Sequence, residues 1–315
     1  MLPTTIYNQN ALTTQSLGTD AYARFLAYCG DCKPSTIKAY KRHLQHFFNW
    51  IRANGIVQPT RAEVIAYRNA LMGEGKQPNT VQSYIAAVRA FFGWAQSEGL
   101  YPHIAKKIKT GVTREHKKDP LSIPQLKIVL QSMPTSTVKD LRNIAIVYLM
   151  SACALRTIEV ARLTVDDFVN VAGRPAIMVH GKGKDEKIAV NLPAGAEQAI
   201  RRYWARAGIS SGYAFQSTSN QNAGDGMTTR AISGMVKATL QAAGYNSDRL
   251  TAHSLRHSAI NAQIEAGAPL VEVQHFARHA DPSTTMVYVH AFEGRKNRCA
   301  DSNDALLFDA LGGTR

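Results

Sequence analysis

The chain has 315 residues and carries 37 Lys+Arg against 23 Asp+Glu, a formal net charge of +14, with a sequence pI near 9.7. That length points to two domains with apolar material for a core in each, and it excludes a small disulfide-dependent scaffold. The charge favours polyanionic partners, and it is uneven: residues 1 to 118 hold 16 basic against 6 acidic residues, a net of +10, and the remainder holds 21 against 17, a net of +4.

The first 16 residues are Thr/Asn/Gln-rich and aperiodic, a flexible tail with neither the basic n-region nor the apolar h-region of a signal peptide. Four helical patterns follow. Thr19 to Tyr28 places Tyr22, Phe25 and Leu26 on one stripe. Pro34 opens a second helix whose apolar positions Ile37, Tyr40, Leu44, Phe47, Phe48 and Ile51 keep helical spacing until Gly55. Its other face carries Lys38, Lys41, Arg42, Gln45 and Arg52. Thr60 caps a third helix to Met72, and Asn79-Thr80 starts a fourth with Val81, Ile85, Val88, Phe92 and Ala95 inward. A basic helix face is often merely solvated. A net of +10 on one small helical domain favours a phosphate-facing surface instead, and Lys38, Lys41, Arg42, Arg52 and Arg89 are the candidate DNA contacts.

Lys106 to Asp119 has little apolar content and reads as a basic linker suited to lying along a DNA backbone. Beyond it, Ser122 and Pro124 open a helix, and Val138 to Ser151 forms another that is apolar on most sides and therefore buried. Pro175 to His180 and Lys187 to Leu192 alternate apolar and polar residues around Gly181 to Glu186, a hairpin by pattern and turn chemistry. The rest is mainly helical. The longest apolar run, Ile144 to Leu155, is too short to span a bilayer, so no membrane association is expected and the chain reads as cytoplasmic. Cys29 and Cys32 have C-x-x-C spacing but no second ligand pair at finger spacing, and read as free thiols.

Chemistry concentrates in two places. His253, Arg256, His257, His279 and Tyr288 fall between residues 253 and 288, and Arg156 lies upstream in Ala154-Leu155-Arg156-Thr157-Ile158-Glu159. A phosphodiester anion repels nucleophiles, so its non-bridging oxygens must be neutralised, and the forked guanidinium does that best. Arg156 and Arg256 are the candidate clamp. Glu159 is placed to orient Arg156, while an arginine paired to a carboxylate or lying on a helix surface is the ordinary alternative. Tyr288 is the candidate nucleophile, because a phosphotyrosine ester can itself be attacked by a hydroxyl. His253 and His279 can share proton transfer and phosphate hydrogen bonding. Lys182, at a glycine-flanked hairpin tip, can protonate a departing 5′ oxygen, with Lys184 and Lys187 as rivals. His253/His257 and His275/His279 have i, i+4 spacing, which also suits a metal, but neither pair contains the Glu of H-E-x-x-H.

Ala-Leu-Arg156-Thr-Ile-Glu159, Gly-Lys182-Gly, His253-Ser-Leu-Arg256-His257, and His279 followed nine residues later by Tyr288 resemble the tyrosine recombinases, the phage-integrase and Xer-like group, over about residues 17 to 295. The resemblance implies a mainly α, two-domain DNA clamp. Residues 17 to 105 would form a four-helix, SAM-like core-binding domain, and residues 120 to 315 an α+β catalytic domain with a small antiparallel sheet. It further implies site-specific cleavage and rejoining through a 3′-phosphotyrosine and a Holliday junction, on short core sites, by a homotetramer holding two duplexes, with no cofactor or metal. Tyr288 is then the nucleophile, Arg156 and Arg256 bind the scissile phosphate, Lys182 is the general acid, His253 assists proton transfer and His279 hydrogen-bonds the phosphate. A type IB topoisomerase-like enzyme, or a non-catalytic sequence-specific or architectural DNA-binding protein, is the alternative. A short amphipathic helix at Asp301 to Leu311 is expected to dock either in cis or on the neighbouring protomer.

Two positions depart from the family pattern. Arg278 stands where Leu-Gly-His has glycine; a positive φ there would strain an arginine by about 1 kcal/mol, and a further phosphate contact by Arg278 is the expected compensation. Ala154 replaces a glycine before Leu-Arg, a smaller change by expectation.

Overall fold

The computed structural model describes residues 20–111, 119–180, 186–218 and 223–293, with the side chains of 290–293 not described. The N-terminal tail, Lys182 and Lys184 at the hairpin tip, half of the basic linker and the expected Asp301–Leu311 helix therefore lie outside the described residues. The chain divides into two compact units, Met1–Arg114 and Glu115–Arg315.

Among the described residues the first unit has four α-helices: α1 (Asp20–Tyr28), α2 (Pro34–Ala53), α3 (Arg61–Gly73) and α4 (Pro78–Ser97). Proline at the first turn starts α2 and α4, where its missing N–H costs no helical bond. Thr60 and Glu63 form a capping box at the start of α3, with Thr60 N donating to Glu63 Oε2 at 2.6 Å. The apolar stripes meet in an aromatic core in which Phe25, Phe47, Tyr67, Phe91 and Phe92 are all at most 1% exposed. Edge-to-face pairs fix their packing, as in Phe47–Tyr67 at 5.0 Å and Phe25–Phe91 at 5.5 Å.

Lys38, Lys41, Arg42 and Arg52 are exposed on the opposite face of α2. Arg89 is different. Its Nη2 donates to the Ile108 carbonyl at 2.9 Å, and its Nε is buried, so this guanidinium is partly buried against the chain following α4. The same segment receives Arg68 on the Lys109 carbonyl at 2.9 Å and Arg61 on the Lys106 carbonyl. Ala105, Ile108 and Thr110 are buried. Residues 106 to 110, expected to belong to the basic linker, pack onto the first unit, because three arginines satisfy their carbonyls and Ile108 enters the core.

In the second unit, α5 (Ile123–Ser132) is capped by Ser122 and leads into α6 (Val138–Cys153), the central helix, with Leu141, Ala145, Ile146, Leu149 and Met150 buried in the main core. The short α7 (Thr157–Arg162) follows. A three-stranded antiparallel sheet in the order β1 (Phe168–Val171), β2 (Arg174–His180), β3 (Lys187–Asn191) comes next. The register pairs Val171 with Arg174 and His180 with Lys187, so β2–β3 is the expected hairpin. Strand β1 has no counterpart in the expected elements. Its two-residue turn is Ala172-Gly173, both with positive φ, which matches the twist of a tight hairpin. Helices α8 (Ala194–Ala207) and α9 (Thr229–Ala242) add to the main core, which Leu250, Ala252 and Leu255 also enter.

Three more helices follow among the described residues: α10 (Ala252–Glu265), α11 (Leu270–Ala277) and α12 (Pro282–Glu293). Every residue from Ser254 to Ile260 is buried, so α10 has no solvent face along that stretch and presents its polar side chains to the protein interior. Among the described residues no helix is long and apolar enough to cross a membrane.

Candidate active site

Helix α6 ends at Ala154 with φ +49, a left-handed residue that turns the chain sharply into Arg156. Arg156 caps α7 from its N-terminus. Its backbone N donates to Glu159 Oε2 at 2.7 Å, and its Nη1 donates to Glu159 Oε1 at 2.7 Å. Glu159 therefore orients Arg156 through both backbone and side chain. The Arg156 side chain keeps 18% of its exposure and that of Glu159 only 2%, which leaves the guanidinium partly exposed on a buried carboxylate mount.

Arg256 enters from α10 and is only 2% exposed. Its two terminal nitrogens donate to the carbonyls of Ala154 and Ala277, so it joins the end of α6 to the end of α11. Burial pushes its pKa down to about 9, with Arg156 and Arg278 adding to the shift. At neutral pH the group remains a cation.

Tyr288, on α12, is 4% exposed, and its hydroxyl lies 2.5 Å from Nδ1 of His257, itself buried. Burial raises the phenol to about 12, against the pull of Arg256 and Arg156. His279 stacks on the Tyr288 ring at 6.1 Å, and its Nδ1 is 2.9 Å from the Thr285 hydroxyl, which is fully buried. Burial, with Arg256 and then Arg156 and Arg278 nearby, lowers His279 to about 4, so its ring is neutral near pH 7. His253 is exposed and packs edge-on against His257 at 4.8 Å.

Arg156, His253, Arg256, His257, His279 and Tyr288 thus converge from α7, α10, α12 and the α11–α12 turn. Lys182 lies outside the described residues. Of its rivals, Lys187 is engaged with Asp167 at 2.5 Å. Among the described residues, no group of three or more His, Cys, Asp or Glu side chains is arranged to hold a metal ion.

Three features were not anticipated. His257 touches the tyrosine hydroxyl directly; the signal was its position one residue after Arg256. Thr285 holds the His279 ring, and as a threonine in the first turn of a helix it carried only a capping signal. Arg278 does have positive φ, +53, but its side chain points inward and is 6% exposed. Its terminal nitrogens donate to the carbonyls of Cys153, Ala154 and Phe276 and to Glu159, where a phosphate contact was expected. Ala154 is no smaller a departure than Arg278, since it occupies the same left-handed region. Three guanidiniums, Arg156, Arg256 and Arg278, surround the single carboxylate of Glu159, which leaves an excess of positive charge suited to an anion.

This unit matches the phage integrase family over residues 122–295, and the first unit matches the N-terminal SAM-like domain of phage integrases over residues 19–99. The chain belongs to the phage integrase family, the tyrosine recombinases that carry out site-specific DNA recombination. It is similar to the tyrosine recombinase XerD of Corynebacterium glutamicum, 29% identical over 271 residues that cover 81% of this chain and 87% of the relative. XerD of Listeria innocua is 29% identical over 279 residues, covering 86% and 93%. Among solved structures, the post-cleavage complex of XerH with a palindromic difH substrate has a TM-score of 0.72 at 20% identity, covering 90% of this chain and 83% of that one. A lambda integrase dimer bound to a COC′ core site has a TM-score of 0.69 at 19% identity, covering 88% and 95%.

Proposed function

We propose that the protein cleaves and rejoins DNA strands at a specific site with Tyr288 as nucleophile. The observation that carries this is a tyrosine hydroxyl buried against His257 and within the field of Arg156 and Arg256. With a phenol at about 12, the phenolate fraction near neutral pH is on the order of one in 100,000, so ionising it costs about 7 kcal/mol. A phosphate bound by Arg156 and Arg256, with His257 beside the hydroxyl and His253 next to it, supplies the charge stabilisation and the route for the proton.

The tyrosine oxygen attacks phosphorus, the P–O bond to the 5′ oxygen breaks, and Lys182 protonates that oxygen. The product is a 3′-phosphotyrosine ester and a free 5′ hydroxyl. Attack of a 5′ hydroxyl from a second duplex on the ester restores a phosphodiester and releases Tyr288, so no energy source is consumed. His279, neutral and held by Thr285, donates from its other ring nitrogen to a phosphate oxygen. Lys38, Lys41, Arg42 and Arg52 contact the DNA backbone, and Arg89, whose Nη2 bonds the Ile108 carbonyl, serves the fold instead. Two exchanges through a Holliday junction require four active sites, hence a homotetramer on two duplexes with short core sites, assembled by tail docking onto the neighbouring protomer, in the cytoplasm where the nucleoid lies.

A pool of nicked suicide duplexes with randomised arms, incubated with the protein in EDTA, tests this. A denaturant-stable protein–DNA complex should form, should be absent with Tyr288→Phe, and should yield the target sequence when the captured DNA is read. A complex that persists in Tyr288→Phe contradicts the assignment.

A further inference from the structure

We propose that Arg278 is a positioning residue, which holds Arg156 and Glu159 in the geometry that leaves the Arg156 guanidinium available to phosphate. The proposal rests on the reading that Arg156 and Arg256 bind the scissile phosphate. Arg278 closes α11 in a left-handed conformation, φ +53, that strains an arginine relative to glycine. The side chain uses that turn to reach inward. Nη1 donates to the carbonyls of Cys153 at 3.2 Å and Phe276 at 2.9 Å, and Nη2 donates to the carbonyl of Ala154 at 2.7 Å and to Glu159 Oε2 at 3.1 Å.

These bonds form a closed circuit with the two phosphate-binding candidates. Arg156 Nη2 donates back to the Arg278 carbonyl at 3.1 Å, and Arg256 shares the Ala154 carbonyl with Arg278. Glu159 divides its oxygens: Oε1 takes Arg156 Nη1, and Oε2 takes the Arg156 backbone N and Arg278. By occupying Oε2, Arg278 keeps the carboxylate from closing on Arg156 as a bidentate fork, the arrangement that planar guanidinium and carboxylate otherwise favour. A buried ion pair of this kind adds little net stability, because desolvation offsets the attraction, so its main consequence is the geometry it fixes.

Arg278→Gly suits the left-handed backbone and leaves a guanidinium-sized space, and because Glu159 and the Cys153, Ala154 and Phe276 carbonyls lose a donor, circular dichroism checks its fold and Arg278→Lys, which keeps a cation, is assayed beside it. Two readouts apply. On a suicide duplex carrying the captured site, first-order cleavage at saturating protein should fall about 100-fold with DNA affinity unchanged. In a titration with inorganic phosphate followed by arginine side-chain N–H resonances, affinity should weaken. Low concentrations of guanidinium chloride should restore both, and equal sodium chloride should restore neither. Glu159→Gln combined with Arg278→Gly should be no worse than either alone.

Wild-type cleavage and phosphate affinity in Arg278→Gly would overturn the proposal. So would losses that guanidinium leaves unrepaired, which mark a merely structural role, or additive losses in the double variant, which mark a direct phosphate contact. A wild-type protein inert on DNA would instead remove the functional reading, and the phosphate titration would still decide the case of Arg278.

Discussion

Acidification from about pH 7 to about pH 4.5 destabilises the unit that holds Tyr288, and His279 is one identifiable cause. Its pKa is about 4 in the folded protein and about 6.5 when unfolded. As pH falls, the unfolded chain therefore binds this proton first. The contribution is fully present above about pH 6.5 and is lost progressively as pH drops towards 4. Two pH units at about 1.36 kcal/mol each give an upper figure near 2.7 kcal/mol. The His279 ring keeps partial solvent contact, so roughly 1–2 kcal/mol is the expected loss. Urea unfolding followed by pulsed hydrogen exchange in peptides from α6 and α10 isolates this unit, and His279→Gln isolates the histidine from carboxylates such as Glu159, which titrate alike in both proteins. The wild type should lose more stability than His279→Gln over the interval. Parallel pH dependences would refute the argument that burial beside three arginines holds this ring neutral.

Replacing Lys38, Lys41, Arg42 and Arg52 together by alanine should flatten the salt dependence of duplex binding by about 0.9 per lost phosphate contact; anisotropy titrations across a salt series measure it, and an unchanged slope removes α2 from the interface. Arg89→Ala should leave that slope alone while costing about 1 kcal/mol of stability, since it uncaps the Ile108 carbonyl. Ala172→Asn should raise the denaturation midpoint, with a gain of up to about 1 kcal/mol, because asparagine tolerates the φ of +50 in the β1–β2 turn better than alanine; a lower midpoint would argue against strain there. His257→Phe should slow covalent complex formation by about 100-fold at neutral pH while the protein stays folded, and a rate equal to wild type would separate His257 from the phenol's proton.

Much of the fold is legible in the chain because helices write their burial at a fixed period. The α2 stripe from Ile37 to Ile51 and the Thr60 cap place their elements directly, and the β2–β3 hairpin follows from alternation around a glycine-rich turn. Strand β1 was not legible: four residues are too few to show a period, and Ala172-Gly173 is a weaker turn signal than Asn-Gly. The packed segment at 106–110 was hidden for another reason. Its burial depends on Arg61, Arg68 and Arg89 folding back from distant helices, and a charged side chain gives no sequence sign of which way it turns. Arg278 illustrates the same limit at the site. Its departure from glycine and its left-handed backbone could be anticipated, but not that it would serve Glu159 and two helix-end carbonyls. The proposed reacting groups could be picked out of the sequence because phosphodiester chemistry restricts the residue types. The contacts that place them, His257 on Tyr288 and Thr285 on His279, depend on helices meeting in three dimensions.

The central claim is a covalent bond between DNA and one tyrosine, and mass spectrometry of the trapped complex tests it most directly. After nuclease and protease digestion, the nucleotide remnant should be found on Tyr288 as a 3′-phosphoryl ester, with a free 5′ hydroxyl on the released strand. A remnant on any other residue, or a 5′-phosphoryl linkage, would contradict the account.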